Sequence, residues 1–455
     1  MVKVRKNSFA FCGGAFGDEG KGRIVDEYVS SFLRRGSPVY VYRDNGGANA
    51  GHTVETETGQ KMVMHLLPSG VLSSQTKVIL GKGMVIHPQD LMTEIEEVKT
   101  LIGTNNMAQI IVDPQAVLSL DTHRAFEGAL KAWQEGGRGA TGRGISPAYA
   151  DVLLRHPLRI CDLVNFDEDK ITKHYRLYQA LLSGLNIDIK DAVVARYGSP
   201  EPLSVGTEKQ FIDNLRALSS SLKNYSSDVS SLLKSAWSNE FSVFIFEKAQ
   251  SIGLDYRWGV YPDVTASDTT FEGIYSATEG IIDPLSIETK AAVIKATYMS
   301  SVGTRVLPTT MDEGQAHRIR EDANEYGATT KRPRDIYHLD LPALKFFAKV
   351  GRVDYHILTH MDIVYPSVPV RVCVGYVLNG QECDYRPDQE FLFHVKPIYQ
   401  DFEPWDKAQL QQATTYQDLP QAAKTFLEFI GRSLGTKISL ITTGSQRHQS
   451  LYLPL

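Results

Sequence analysis

The sequence predicts an α/β protein with a large, mostly parallel central sheet and helices on both faces. Three observations carry that prediction: short apolar runs that read as buried strands, amphipathic helical stretches alternating with them, and a first strand running straight into a glycine loop and a helix. The 455 residues are 42% hydrophobic and 22% charged, an ordinary globular composition that excludes a disordered, collagen-like or disulfide-stapled chain. Lys plus Arg (48) against Asp plus Glu (53) leaves a net charge of −5, so bulk charge favours neither nucleic acid nor an anionic membrane, and any phosphate site must be local. Cys12, Cys161, Cys373 and Cys383 form no CxxC pair and no Cys/His cluster at metal spacing, which points to a reducing cytoplasm. Lys3, Arg5 and Lys6 before the apolar Ser8 to Phe16 imitate a leader, but that run passes directly into Asp18, Glu19 and Lys21, and no 18-residue apolar run occurs.

In chain order, Ser8 to Cys12 reads as a buried strand and Gly13, Gly14 and Gly17 as a turn that can approach a ligand. From Gly22, Ile24, Val25, Tyr28, Val29, Phe32 and Leu33 recur at helical spacing, with Arg34, Arg35 and Gly36 as a basic last turn and stop. Pro38 to Tyr42 is a second strand leading into Asn45 to Thr53, a loop rich in Gly and Asn. Lys77 to Leu80 and Gln109 to Val112 are further strands, and Leu91 to Leu101 is helical. The Ser-rich stretch from about 199 to 238 has a helical pattern and reads as a peripheral insertion, with Ser219 to Ser221 as a loop within it. Phe241 to Phe246 resumes the strands. Val353 to Leu358 ends another, and Val370 to Leu378 turns at Asn379-Gly380 into Gln381 to Tyr385.

The chemistry concentrates in two loops. Gly14 to Arg23 has the glycines and the helix-start lysine of a phosphate cradle, but Ala15 and Gly22 stand where a Walker A loop needs Gly and a Mg²⁺-holding Ser or Thr. That mismatch disfavours a motor-like NTPase. An acidic pair inside an anion cradle is costly, so Asp18 reads as a base or a metal ligand. The second loop places Asn49, the Gly51 carbonyl, His52 and Thr53 within five residues, and His52 is suited to hydrogen-bond a leaving phosphate oxygen.

With both loops in view, the chain resembles the adenylosuccinate synthetases. Gly17-Asp18-Glu19-Gly20-Lys21-Gly22-Arg23 resembles that family's signature loop and Asn49-Ala50-Gly51-His52-Thr53 its histidine loop, while His65 to Gly70 and Gly139 to Ile145 follow in the same order. The resemblance spans Gly17 to about Arg447. It implies one large domain over 1–455 of a P-loop-like nucleotide-binding ligase fold, with the segment from about 365 to 455 completing the donor-base pocket. It also implies a purine-biosynthetic ligase that joins L-aspartate to C6 of IMP with GTP, through a 6-phosphoryl intermediate, and gives adenylosuccinate.

The resemblance assigns residues position by position. Asp18, His52 and Lys21 take the catalytic places, and Asp18 with the Gly51 carbonyl would hold Mg²⁺. Asn49, Thr141, Gln250, Thr265 and Val302 match positions around IMP, and Arg155 matches an arginine that reaches the neighbouring subunit's IMP phosphate, implying a homodimer. Thr329, Thr330, Arg332 and Arg334 match the loop that clamps the aspartate carboxylates. Gly20, Lys21, Gly22, Thr53, Arg334, His360, Asp362, Thr442 and Gly444 match positions around the donor nucleotide.

The chain departs from the family pattern at His360 and Ser445 (usually Lys and Pro), at Lys331 and Asp335 (usually Gly and Arg), and at Lys248 (usually Gly, close to the nucleotide). These departures leave open another 6-oxopurine nucleotide such as dGMP or GMP, ATP as donor, or a nucleotide sensor without turnover. The joint presence of Asp18, Lys21, His52 and Gln250 argues for catalysis.

Overall fold

In the computed structural model, which describes residues 3–55, 61–134, 140–301, 303–327, 332–444, 446 and 449–454, the buried runs assemble into one nine-stranded sheet. Its strands in chain order are β1 (Arg5–Gly13), β2 (Val39–Arg43), β3 (Thr76–Leu80), β4 (Gln109–Val112), β5 (Val243–Ser251), β6 (Ile287–Lys295), β7 (Tyr355–Thr359), β8 (Lys437–Thr442) and β9 (Ser450–Tyr452). Across the sheet they run β9-β8-β7-β6-β1-β5-β2-β3-β4. Every neighbouring pair is parallel except β8 with β9.

The chain leaves β1 in both directions, with β2 to β4 on one side, β6 to β9 on the other, and β5 inserted between β1 and β2. Loops at the carboxyl ends of these strands therefore diverge around β1, which is where an open α/β sheet accepts a ligand. Both faces of the sheet are covered, so all five residues of β2 are buried. One core contains Ala10, Cys12, Tyr42, Phe244 and Phe246, and the other Phe11, Val41, Ile245 and Val293, the alternation that strand geometry requires. Phe244 stacks on Tyr40 with ring centroids 4.9 Å apart and meets Trp237 edge-on at 5.0 Å.

Helix α1 (Lys21–Leu33) buries Ile24, Val25, Tyr28, Val29 and Phe32 along one stripe. Gly20 precedes it with φ 88° and no side-chain cap, leaving the first-turn N–H groups available to an anion. The stretch after residue 199 contains two helices, Glu208–Lys223 and Val229–Ser238. The first contributes Phe211, Ile212, Leu215 and Leu222 to one core, the second Val229, Leu233 and Ala236 to the other. Ser219 to Ser221 is not a loop: it lies inside Glu208–Lys223, because the apolar stripe outweighs the modest helix penalty of three serines.

The strand expected from Phe241 begins at Val243, since Phe241 is 82% exposed and Ser242 closes a turn through its N–H to Asn239 O at 3.1 Å. A second sheet combines Tyr298–Ser301, Asp335–Asp340, Val370–Leu378, Gln381–Cys383 and Lys396–Phe402. Its hairpin turns at Asn379 and Gly380, with φ of 52° and 80° and Leu378 opposite Gln381, as a two-residue turn of Asn-Gly type requires. The return strand ends at Cys383, two residues before the expected Tyr385. No helix among the described residues is long and apolar enough to cross a membrane.

Candidate active site

Gly13 ends β1 without a side chain because its space is taken: a Cβ there would lie 1.8 Å from Ser251 Oγ and 2.4 Å from Glu19 Oε2. Glu19 fills the hollow of the loop and accepts from Gly17 N (2.8 Å), Ala15 N (3.2 Å), Ser251 Oγ (2.7 Å) and Lys21 Nζ (2.9 Å). Burial opposes its charge, yet Lys21 and these donors hold the carboxyl below the usual range. The acidic pair is thus divided. Glu19 braces the loop from inside, whereas Asp18, with φ 57° and a 41% exposed side chain, projects outward.

Gly22 stands where a Walker loop has Ser or Thr, and the structure supplies a reason: a Cβ there would sit 2.9 Å from His52 Cβ. The two loops therefore meet at this glycine. Burial first, then Arg43, His65 and Lys21, push the His52 imidazole well below its ordinary pKa, so it is neutral. Its Nε2 lies 3.8 Å from Glu247 Oε1 and has no hydrogen-bond partner among the described residues. Asn45 donates to Ala249 O (3.2 Å) and accepts from Ala249 N (2.9 Å), tying this loop to the end of β5. Asn49 Oδ1 caps Gly47 N at 3.2 Å. Gln250, with φ 60°, follows, and its Nε2 and the buried Thr265 Oγ1 also lack partners among the described residues. Lys248 is buried in an ion pair with Asp44.

Arg334 connects the glycine loop to the other side of the pocket, with Nη2 2.8 Å from Asp18 Oδ2 and Nη1 2.7 Å from Glu325 Oε2. Beyond it, Thr359 Oγ1 donates to Glu19 O (2.8 Å), so at 3.0 Å it accepts from His360 Nδ1–H. Burial, followed by Lys295, pushes His360 down to about 4, leaving it uncharged. His360 N donates to Thr442 Oγ1 (3.1 Å), and Asp362 faces Lys407 Nζ at 3.6 Å. Arg23 fastens the last loop to α1 by donating to Gly444 O, Gln446 O (2.6 Å) and Gln449 O (3.0 Å).

The structure thus places Asp18, Gly20, Lys21, Gly22, Asn49, Gly51, His52, Gln250, Arg334, His360, Thr442 and Gly444, with Thr265 and Asp362, in or beside the segments that follow the carboxyl ends of the central strands. Thr53 follows His52 in a short hairpin strand. Arg332 is exposed beside Arg334, and Thr141 is exposed ahead of the helix Ile145–Leu153. Arg155 is not in the pocket of its own chain: it sits at φ 68° in an exposed turn beyond that helix, next to Leu153 (84% exposed) and Leu154 (66%). Val302, Thr329 and Thr330, with Lys331 and Ser445, lie outside the described residues.

Sequence reasoning missed Glu19 as a brace, together with Arg23, Glu247 and Glu325. Only Glu19 carried a signal, as an acid within a glycine run. Away from the pocket, His123, Asp151 and His174 cluster at metal-like distances. His123 Nδ1 accepts from Leu120 N (2.9 Å), so its Nε2 carries the proton donated to Asp151 (3.0 Å) and offers a metal no lone pair.

Comparison with known proteins agrees across almost the whole chain. The family model described as adenylosuccinate synthetase matches residues 10–451. The adenylosuccinate synthetase of Clostridium acetobutylicum is 34% identical over 448 residues, covering 98% of this chain and 99% of that one. That of Thermoplasma volcanium is 34% identical over 443 residues, covering 96% and 95%. The fully ligated adenylosuccinate synthetase of Plasmodium falciparum superposes with a TM-score of 0.83 at 29% identity, over 98% of this chain and all of that one. The succinoaminodeoxyadenylate synthetase of cyanophage S-2L, solved with dGMP and dATP as energy donor, has a TM-score of 0.58 at 17% identity over 100% and 97% of the two chains, a likeness of fold alone.

Proposed function

The chain belongs to the adenylosuccinate synthetase family, and from that premise we propose that it joins L-aspartate to IMP at the expense of GTP, with Asp18 and His52 at the reacting atoms. The observation that carries this reading is the meeting of the two loops at Gly22, which puts an outward carboxylate and a neutral imidazole beyond the carboxyl end of β1. Asp18 takes the N1 proton of IMP, and the 6-oxygen then attacks the γ-phosphorus of GTP while the bond to the GDP oxygen breaks. His52 Nε2, without a protein partner among the described residues, hydrogen-bonds the phosphate oxygen on which charge develops. The aspartate amine next attacks C6, phosphate leaves, and the amine gives up its proton, yielding adenylosuccinate. Gln250 Nε2 and Thr265 Oγ1, likewise without partners among the described residues, take the IMP base and phosphate in this reading. Arg332 and Arg334 receive the aspartate carboxylates.

Asp18 and the Gly51 carbonyl are hard oxygen donors, the Asp18 side chain is open to solvent, and the pair therefore fits Mg²⁺, which when bound neutralises phosphate charge. The exposed Leu153, Leu154 and Arg155 support a homodimer in which Arg155 reaches the partner's nucleotide. A cytoplasmic enzyme fits this chemistry. The test incubates the protein with aspartate and Mg²⁺, crosses IMP, GMP and dGMP against GTP and ATP, and weighs the products. Succinylated IMP formed with GTP is expected. Binding without product would make the chain a sensor, and product only from dGMP or GMP, or only with ATP, would overturn the substrate assignment.

A further inference from the structure

Four side-chain donors converge on one buried carboxylate in the turn after helix Glu313–Ala323. Glu325 is 1% exposed and accepts from Lys295 Nζ, Tyr298 OH (2.5 Å), Ser300 Oγ (3.0 Å) and Arg334 Nη1 (2.7 Å). A carboxylate offers about four lone-pair sites, so this one is saturated. The Glu325 carbonyl also accepts from Arg334 N at 3.0 Å. Lys295 ends β6, and Tyr298 and Ser300 belong to the strand Tyr298–Ser301, so three of the four donors stand on sheet strands. Burial opposes the charge, but Lys295 and Arg334 pull the carboxyl down to about 2 and keep it ionised.

We propose that Glu325 is a positioning residue that fixes the Arg334 fork against this platform, so that Nη2 reaches Asp18 and the guanidinium is ordered before the amino-acid carboxylate arrives. An arginine left to several rotamers would have to be ordered at binding, which weakens affinity. Without the Glu325 charge, Arg334 is also free to turn both nitrogens onto Asp18, whose carboxylate then competes with the substrate carboxylate for the guanidinium. The proposal rests on the reading of Arg334 as an aspartate clamp, and its test separates the two.

E325Q keeps the shape but leaves Lys295 buried without its anion; should it not fold, K295M/E325Q removes both charges together. KM for aspartate, IMP and GTP is measured separately in E325Q, K295M/E325Q, E325D, R334Q and R334Q/E325Q. The aspartate KM is expected to rise at least about tenfold in E325Q and K295M/E325Q, with the IMP KM within about twofold and the GTP KM, to which Arg334 is also assigned, rising less than the aspartate KM. E325D should recover part of the loss. Adding E325Q to R334Q should raise it no further, because both act through one guanidinium. An aspartate KM untouched by R334Q would sink the clamp reading and this proposal with it. A rise in R334Q but not in folded K295M/E325Q, or an equal rise in all three KM values, would overturn the positioning role alone.

Discussion

At the β1 and β5 side of the pocket, His52 Nε2, Gln250 Nε2 and Thr265 Oγ1 have no protein partner among the described residues. At the β7 and β8 side the protein uses more of its polar groups itself: His360 binds Thr359 and Thr442, and both Arg23 Nη atoms bind loop carbonyls, while the buried Arg23 Nε has no partner among the described residues. A buried polar atom left unsatisfied costs about 1 to 3 kcal/mol, so three of them together mark a surface shaped for a ligand. The opposite side satisfies more of its polar groups within the chain. His360 stands there in the place of the family's usual lysine, as Lys248 stands in the place of its usual glycine on the β5 side, while Asp18, Lys21 and His52 keep the family's pattern.

That contrast is broken most sharply at Asp18. Asp18→Asn should leave the fold intact, because the side chain is partly exposed and makes one ion pair, but should cut turnover by about 10² to 10⁴. His52→Ala should fall in the same direction, by about 10² to 10³, since its Nε2 is the polar atom aimed at the developing charge. Steady-state rates above roughly a tenth of wild type in either variant would remove that residue from the mechanism.

The next effect asks whether the ligand-facing side is complete within one chain. Arg155→Ala and Asp18→Asn subunits should each be inactive, but mixed and exchanged they should recover about a quarter of wild-type activity. Half the dimers are then mixed, and each holds one intact composite site. No recovery despite exchange, followed by mass spectrometry of tagged dimers, would place Arg155 outside the site.

How much of this was legible follows from the range of the forces involved. The β1-loop-α1 unit and the Asn379-Gly380 turn are written in local periodicity and turn chemistry and stand where the pattern put them, while the strands read from Phe241 and to Tyr385 exist with ends displaced by two residues. Ser219 to Ser221 misled because serine favours turns only where no apolar stripe overrides it. The loops bearing Asp18 and His52 were readable from their glycines. Glu325 was not, because its role comes from Lys295 thirty residues before it, Tyr298 twenty-seven before and Arg334 nine after, and no local pattern encodes those meetings. The Lys248 ion pair with Asp44 was hidden for the same reason, its partner being 204 residues distant.

The smallest expected effect concerns the self-contained side and the choice of donor. Asp362, 3.6 Å from Lys407 Nζ, offers two acceptor oxygens to the N1–H and 2-amino group of guanine, and adenine presents neither donor to them. A desolvated carboxylate without a partner costs about 1 to 3 kcal/mol, which predicts GTP over ATP by roughly tenfold to a hundredfold in kcat/KM. His360 is uncharged and its Nδ1–H is committed to Thr359, so it supplies none of the cationic attraction of a lysine. Its effect falls on affinity for the triphosphate of either base rather than on the choice between them. His360→Lys should therefore lower KM for GTP and ATP together, whereas Asp362→Asn, which replaces one acceptor with a donor, should narrow the ratio between the two nucleotides. Competition assays at subsaturating GTP and ATP measure both. Equal use of the two by the wild-type protein would show that Asp362 does not read the base, and that the loop fastened by Arg23 has taken over that task.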